Sequence, residues 1–262
     1  MDGIGVPSKA QMRRWEKLKT AKHRRQEGLF LAEGGKVVDE LIRSGRSLEA
    51  LLVLKDRVGR WEPLLAGVPA GIGVYVLSAR EWNALSQDKT PEGVMAVAAA
   101  PVAVDPTCLP QDCGPLLLLY RVNNPNNLGA LLRTADWFGF RTVLISAGSV
   151  ETTNPKVVRT SMGSLFHLTL IEQVDFGPLL AGIRDRFRVV GSDAAEGIPP
   201  HPCQAGTALL LGSESHGLPG ELLAMAHERW RIHGCGDAES LSLPQAAAIM
   251  MYECVRKISG ES

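Results

Sequence analysis

The chain has 262 residues, 45% of them hydrophobic and 5% aromatic, with 28 Lys+Arg balancing 28 Asp+Glu. That composition excludes a disordered or fibrous chain, and the length allows one large or two modest domains that bury about three quarters of the unfolded surface without any disulfide. Five cysteines, at 108, 113, 203, 235 and 254, form no Cys-x-x-Cys pair, which argues against a secreted disulfide framework or a zinc ribbon and for reduced cytosolic thiols.

Residues 1–25 carry eight cations (Lys9, Arg13, Arg14, Lys17, Lys19, Lys22, Arg24, Arg25) against Asp2 and Glu16, whereas residues from 111 onward hold 12 basic and 15 acidic side chains. A basic arm, 1–27, therefore precedes a mildly acidic body. Such an arm suits a polyanion, because each cation that neutralises a phosphate releases condensed counterions; it suits equally the solvated face of a terminal helix. No apolar run of signal-peptide length follows it, and no 18-residue apolar run occurs in the chain, so a cytoplasmic location is expected.

From 28 to 100 short apolar runs alternate with helical patterns. Strands are predicted at 28–32, 48–54, 74–77 and 94–99, and helices at 35–44, 62–66 and 78–85, which makes a small α/β domain. Pro101, Pro106 and Pro110 in a stretch without periodicity predict an extended linker over 101–113. A second domain, 114–262, has strands predicted at 115–120, 142–146, 165–170, 188–192, 208–211 and 230–232. Its helices are predicted at 128–138, 176–186, 218–227 and 243–258. The unbroken runs Leu116–Leu119 and Leu209–Leu211 are those of strands covered on both faces, so this domain is expected to hold a parallel sheet between helices.

Ligands of such a sheet bind beyond the carboxyl ends of its strands. Three segments there are unusual. Asn123-Asn-Pro-Asn-Asn127 follows a strand and opens a helix carrying Arg133; alone it reads as a turn with a helix cap. Leu211-Gly-Ser-Glu-Ser-His-Gly-Leu218 has glycines that permit close backbone approach, and Glu214 near a helix start. Ile232 to Pro244 is a Gly-rich loop in which Ser242 is placed to cap the last helix. The dinucleotide, P-loop and zincin signatures are absent, and His227 and His233 are the only loosely paired histidines.

Taken together and in this order, the three segments resemble the signature motifs of the SpoU (TrmH-type) RNA 2′-O-ribose methyltransferases of the SPOUT superfamily. Asn127-x-Gly129 with Arg133-Thr-Ala135 is similar to the first motif, and Leu211-Gly-x-Glu214-x-x-Gly217-Leu218 to the second. Ser240-Leu241-Ser242 with Ala246-Ala-Ala-Ile249 and Tyr252-Glu253 is similar to the third. Lys156 to Gly163 resembles the family's loop after the second helix, and Phe30-Leu-Ala-Glu33 and Thr90 to Val97 resemble its ribosomal-protein-like substrate-binding module.

The resemblance implies a trefoil-knotted α/β second domain in a homodimer, with S-adenosylmethionine held by backbone groups near Leu211, Gly212, Gly217, Ile232 and Leu241. The reaction implied is attack of a ribose 2′-oxygen on the cofactor's methyl group. Proton removal falls in the family to the residue matching Arg133; a guanidinium stays protonated below about pH 12, so Arg133 is read as stabilising the developing oxyanion while a phosphate or water takes the proton. Asn127, Glu214 and Ser240 are expected to position the ribose and Arg133. Two departures stand out: Ser242 replaces the usual Asn, and Ile232-His233-Gly234 replaces an Ile-Pro-Met-like run.

With RNA as the implied partner, Arg13, Arg14, Lys17, Arg24 and Arg25 are expected to meet phosphates, and Trp15 either stacks on a base or docks on the body. Ribosomal RNA is the first expectation and transfer RNA the second, with no metal and no membrane. A non-catalytic RNA-binding or ribosome-assembly factor is the alternative, and a hydrolase using Ser215 and His216 a distant third.

Overall fold

The structure, a computed structural model, describes residues 4–101, 105, 109, 114–203 and 206–256. Cys108, Cys113, most of the expected linker and the last residues of the final expected helix lie outside them. Contacts divide the chain into two compact units, one of 1–102 with 151–166 and one of 103–150 with 167–262.

The first unit begins with β1 (Ile4–Gly5) and α1 (Lys9–Lys17). A capping box starts α1: the Gln11 amide donates to the Ser8 hydroxyl at 3.2 Å, and the Ser8 amide donates back to the Gln11 side chain at 2.9 Å. α2 (Ala21–Glu27) ends on Gly28, whose φ of 62° turns the chain into β2 (Leu29–Glu33). There follow α3 (Gly35–Arg43), β3 (Leu48–Leu54), α4 (Val58–Ala66), β4 (Gly73–Leu77), α5 (Ala79–Leu85) and β5 (Val94–Ala99). The five strands form one mixed sheet in the order β1-β4-β3-β5-β2, with β5 antiparallel to both neighbours. Side-chain alternation along β2 serves both faces: Leu29 and Leu31 join Trp15, Leu52 and Trp82 in one core, while Phe30 meets Phe166 at 6.4 Å.

The basic arm is part of this folded unit. Trp15 is 1% exposed, donates its indole N–H to Glu49 at 3.1 Å and packs edge-on against Tyr75 at 5.5 Å, so it docks and does not stack on a base. Arg24, expected to face RNA, is buried instead. It donates to the carbonyls of Leu18 and Lys19 at 3.1 and 3.0 Å and to Glu151 at 2.7 Å, because the turn between α1 and α2 leaves carbonyls that need donors. Arg25 shares Glu151, and Arg14 pairs with Glu27 and Glu49. Arg13 and Lys17 are exposed and, among the described residues, unpaired.

In the second unit β6 (Leu116–Leu119), α6 (Pro125–Trp137) and β7 (Thr142–Ser146) come first. The helix α7 (Pro155–Thr160) lies within 151–166 and groups with the first unit. β8 (Thr169–Val174), α8 (Phe176–Ile183), β9 (Arg188–Ser192), β10 (Thr207–Leu211), α9 (Gly220–Met225), β11 (Glu228–Trp230) and α10 (Leu243–Val255) complete the second unit. Its six strands are all parallel, in the order β11-β9-β10-β6-β7-β8. Every residue of β6, β7 and β10 is buried, as their unbroken apolar runs require, and each fully buried leucine contributes about 1.5–3 kcal/mol. Leu116, Leu118, Leu144 and Leu210 pack with Phe176, Leu180 and Leu222, while α6 and α10 pack on one another.

The predicted strand at 165–170 begins four residues later than expected, since Ser164–Phe166 form a 3-10 turn after Gly163, at φ 94°. Leu165 and Phe166 are apolar for a different reason: they are buried in the first unit's core. No helix of the described residues is long and apolar enough to cross a membrane.

Candidate active site

Strand order changes direction between β10 and β6. From β6 the chain steps outward through β7 to β8, then returns to build β9, β10 and β11 on the other side, so a crevice opens beyond the carboxyl ends of β6 and β10. Asn124 starts α6 there: its side-chain Oδ1 accepts from the backbone amides of Asn126 and Asn127 at 2.9 and 3.4 Å. Asn127 is thereby fixed in the first turn, and its side-chain amide donates to Glu214 at 2.9 Å.

Glu214 is carried by a closed loop. Ser213 and Gly217 exchange backbone hydrogen bonds of 3.2 and 3.0 Å, with Gly217 at φ 63°. A Cβ on Gly212 would lie 2.2 Å from the carbonyl carbon of Gly217 and 2.4 Å from the nitrogen of Leu218. The close approach that demands glycine at 212 is thus made by the protein's own 217–218 peptide. The Gly212 amide donates to Ser192 Oγ at 3.4 Å, linking the ends of β10 and β9.

The Arg133 side chain is exposed on α6 and makes no hydrogen bond or ion pair among the described residues. Six residues after Asn127, it stands roughly 9 Å further along the helix and about 120° around it. Ser240 is likewise exposed and unpartnered. Asn127 and Glu214 therefore meet within one chain, while Arg133 and Ser240 bond to neither. Ser242 is committed to capping α10, donating its hydroxyl to Gln245 at 2.9 Å while its backbone amide donates to the same side-chain oxygen at 3.3 Å.

From Ile232 to Leu241 no residue makes a hydrogen bond among the described residues, so a run of ten peptide groups keeps its donors and acceptors free. Leu241 is 47% exposed and Ile232 half-buried, while Leu211 and Gly212 are buried at the neighbouring strand end. Ser215 and His216 make no bond to one another, and His227 Nδ1 accepts from the Val189 amide at 3.0 Å. Among the described residues no group of three or more His, Cys, Asp or Glu is placed to hold a metal ion.

Two backbone conformations at these strand ends have no signature in the sequence. Arg121 and Gln173, at the ends of β6 and β8, adopt φ of 50° and 61°, left-handed conformations that side chains other than glycine rarely take. Neither residue type signals this in a sequence.

The SpoU rRNA Methylase family matches residues 115–252, and the MRM3-like substrate binding domain matches residues 9–96. The chain is 29% identical to the 23S rRNA (guanosine(2553)-2′-O)-methyltransferase RlmP of Bacillus subtilis, over 96% of this chain and 98% of that one. Among solved structures, a TrmH-family protein from Porphyromonas gingivalis has a TM-score of 0.81 at 30% identity, covering 96% of this chain and 99% of its own. An AdoMet-bound rRNA methyltransferase from Sinorhizobium meliloti has a TM-score of 0.82 at 25% identity, covering 95% and 97%. With matches spanning both units, the chain belongs to the SpoU rRNA methylase family.

Proposed function

We propose that Arg133, oriented with help from Asn127, Glu214 and Ser240, acts at the reacting oxygen of an S-adenosylmethionine-dependent ribose 2′-O-methyltransferase whose substrate is ribosomal RNA. The enzyme class follows from the family; the observation that carries the site is the Asn127–Glu214 hydrogen bond across the crevice.

The residues present fit S-adenosylmethionine. An adenine edge, an ammonium and a carboxylate need several donors and acceptors at once, and the free peptide groups of 232–241 supply both kinds without competing side chains. Leu211 and Ile232 offer apolar contact, and Gly212 and Gly217 hold the adjacent loop closed. When bound, S-adenosylmethionine supplies an electrophilic methyl group whose thioether leaves without needing an acid.

The protein's own work is then at the ribose. Glu214 holds one N–H of the Asn127 amide, leaving its other N–H and its carbonyl for the sugar. Arg133 remains a cation and stabilises negative charge on the 2′-oxygen as its proton passes to an RNA phosphate or water.

Trp137, Ile249, Tyr252 and Val255 on α6 and α10 are 84%, 40%, 50% and 39% exposed, an apolar face that a second copy of the chain covers in a homodimer. Sharing a site across that face accounts for Arg133 and Ser240 standing free in one chain. Lys9, Arg13 and Lys17, four residues apart on α1, form an exposed unpaired cationic stripe that meets RNA phosphates in the cytoplasm.

The test is methylation of rRNA from a strain lacking the protein, with labelled S-adenosylmethionine and mapping of the modified nucleotide. One ribose gaining a 2′-O-methyl group is expected. Methyl transfer to a base, or none from folded protein, refutes the reading.

A further inference from the structure

Beyond the carboxyl ends of β6, β7 and β8, on the far side of β6 from the closed loop after β10, lies a cavity of about 570 Å³. Its walls include Tyr120 and Arg121 after β6, Gln173 at the end of β8 and Asp175 just after it, and Glu221 and Leu222 of α9. Two of these walls continue the elements that carry the Asn127–Glu214 bond: Arg121 begins the loop leading to Asn127, and α9 follows the loop of Glu214.

Several polar groups lining the cavity keep hydrogen-bonding capacity unused among the described residues. The Arg121 amide donates to Ser146 Oγ at 2.8 Å, and its guanidinium lies over the Tyr120 ring at 5.4 Å with no carboxylate or carbonyl partner among the described residues. Tyr120 in turn packs against Phe176 at 6.2 Å. One Asp175 oxygen caps α8 by accepting from Gly177 at 3.2 Å; among the described residues its other oxygen, the Glu221 carboxylate and the Gln173 amide have no partner. Both Arg121 and Gln173 reach the cavity from left-handed backbone, a strained arrangement that persists where the surroundings over-determine it and that clusters at functional sites.

We propose that this cavity receives an unpaired guanine base of the RNA, beside the ribose to be methylated; the inference rests on the function proposed above. The cavity lies within the size range of small-ligand pockets. Tyr120 and Phe176 close one wall, but Phe176 is buried and Arg121 lies over the Tyr120 ring, so the base is held at its polar edges and not by stacking. A guanidinium with free N–H groups matches the O6 and N7 acceptors of guanine, and the two carboxylates match its N1–H and N2–H donors. Adenine turns an amino group toward Arg121 and an unprotonated N1 toward a carboxylate, both repulsive. Pyrimidines are too short to reach both edges.

The probes are GMP, AMP and CMP, titrated onto the full-length protein by saturation-transfer NMR, with S-adenosylmethionine titrated in parallel by calorimetry. GMP is expected to bind, with AMP and CMP weaker, and Arg121→Gln and Glu221→Gln each to weaken GMP by about fivefold to a hundredfold. Thermal melts confirm that both variants fold. GMP binding no better than CMP, or unaffected by either substitution, overturns the base site. Should S-adenosylmethionine bind while guanine is not discriminated, the base site falls alone; should S-adenosylmethionine fail to bind, the proposed function falls with it.

Discussion

Asn127 and Glu214, 87 residues apart in sequence, meet in a single 2.9 Å hydrogen bond that ties the loop after β6 to the loop after β10. The bond is exposed and so contributes only about 0.5–1.5 kcal/mol to stability, but under the proposed function it orients the Asn127 amide toward the ribose. Glu214→Ala should therefore lower methyl transfer by about tenfold or more with little change in melting temperature, a loss of the size expected when a reacting group is mispositioned. Glu214→Gln keeps an acceptor at the same place and should restore most of the rate. Equal loss in both variants would assign Glu214 a charge role instead of a positioning one.

The exposed Arg133 side chain makes no hydrogen bond or ion pair among the described residues, so removing it should cost little stability. Arg133→Ala should abolish transfer while S-adenosylmethionine affinity and melting temperature stay unchanged, and Arg133→Lys should recover part of the rate by returning a cation without the planar fork. Calorimetry beside the transfer assay separates the two effects. Substantial turnover by Arg133→Ala would remove this residue from the chemistry.

Gly212 and Gly234 give contrasting expectations. An alanine Cβ at 212 meets backbone at 2.2 Å, whereas one at 234 meets nothing within 4 Å. Gly212→Ala should open the loop of Glu214, costing about 1–3 kcal/mol of stability as overpacking does, together with methyl transfer. Gly234→Ala should leave stability unchanged. Denaturant melts of the pair check it.

Glu228 and His201 set a pH window. Burial pushes the Glu228 carboxyl up, but hydrogen bonds from Arg188, Trp230 and His201 outweigh it and hold the group below its usual range. His201 is raised, first by its hydrogen bond to the Pro202 carbonyl and then, against partial burial, by Glu228. Stabilisation from Glu228 is present above the ordinary carboxyl range and is lost as pH falls through its lowered value. Stabilisation from His201 is full below the ordinary imidazole value and is lost as pH rises through its raised one. The pair thus stabilises most between roughly pH 4.5 and 6.5. In His201→Gln the decline of melting temperature above that window should flatten; an unchanged slope would show that another group titrates there.

The cationic stripe and the buried cation should separate cleanly. Replacing Lys9, Arg13 and Lys17 by Gln should weaken rRNA binding and reduce its log–log salt slope by about 2–3, with stability intact. Arg24→Ala should instead cost about 3–5 kcal/mol of stability by leaving Glu151 with one exposed partner. An unchanged salt slope in the triple variant would exclude α1 from the RNA interface.

Much of this was legible because the physics is local. The strands at 48–54, 94–99, 142–146 and 188–192 begin and end where expected, because each is built on a short buried apolar run, Leu51–Val53 or Val189–Val190 for example, flanked by residues that leave the sheet. α6 starts three residues before its apolar stripe, because Asn124 and Pro125 make a cap and first turn outside the periodic pattern. What stayed hidden is long-range. Nothing around Arg24 announces Glu151, nothing in Leu165-Phe166 says which core it fills, and the run of free peptide groups over 232–241 is a property of neighbours that are not there. The three motif segments were visible as strand ends; the bond that joins two of them was not.

The first unit takes in residues 151–166, which emerge from the ribosome only after the β6–β7 part of the second unit. Until then Arg24 has carbonyls but no carboxylate, and Phe30 has no ring opposite it. Translation through residue 102 therefore yields an incomplete substrate-binding unit whose sheet can form while part of one face stays open. A cut at residue 102 separates residues 1–102 from the 151–166 segment that belongs to the same compact unit, and with it from the carboxylate that Arg24 binds.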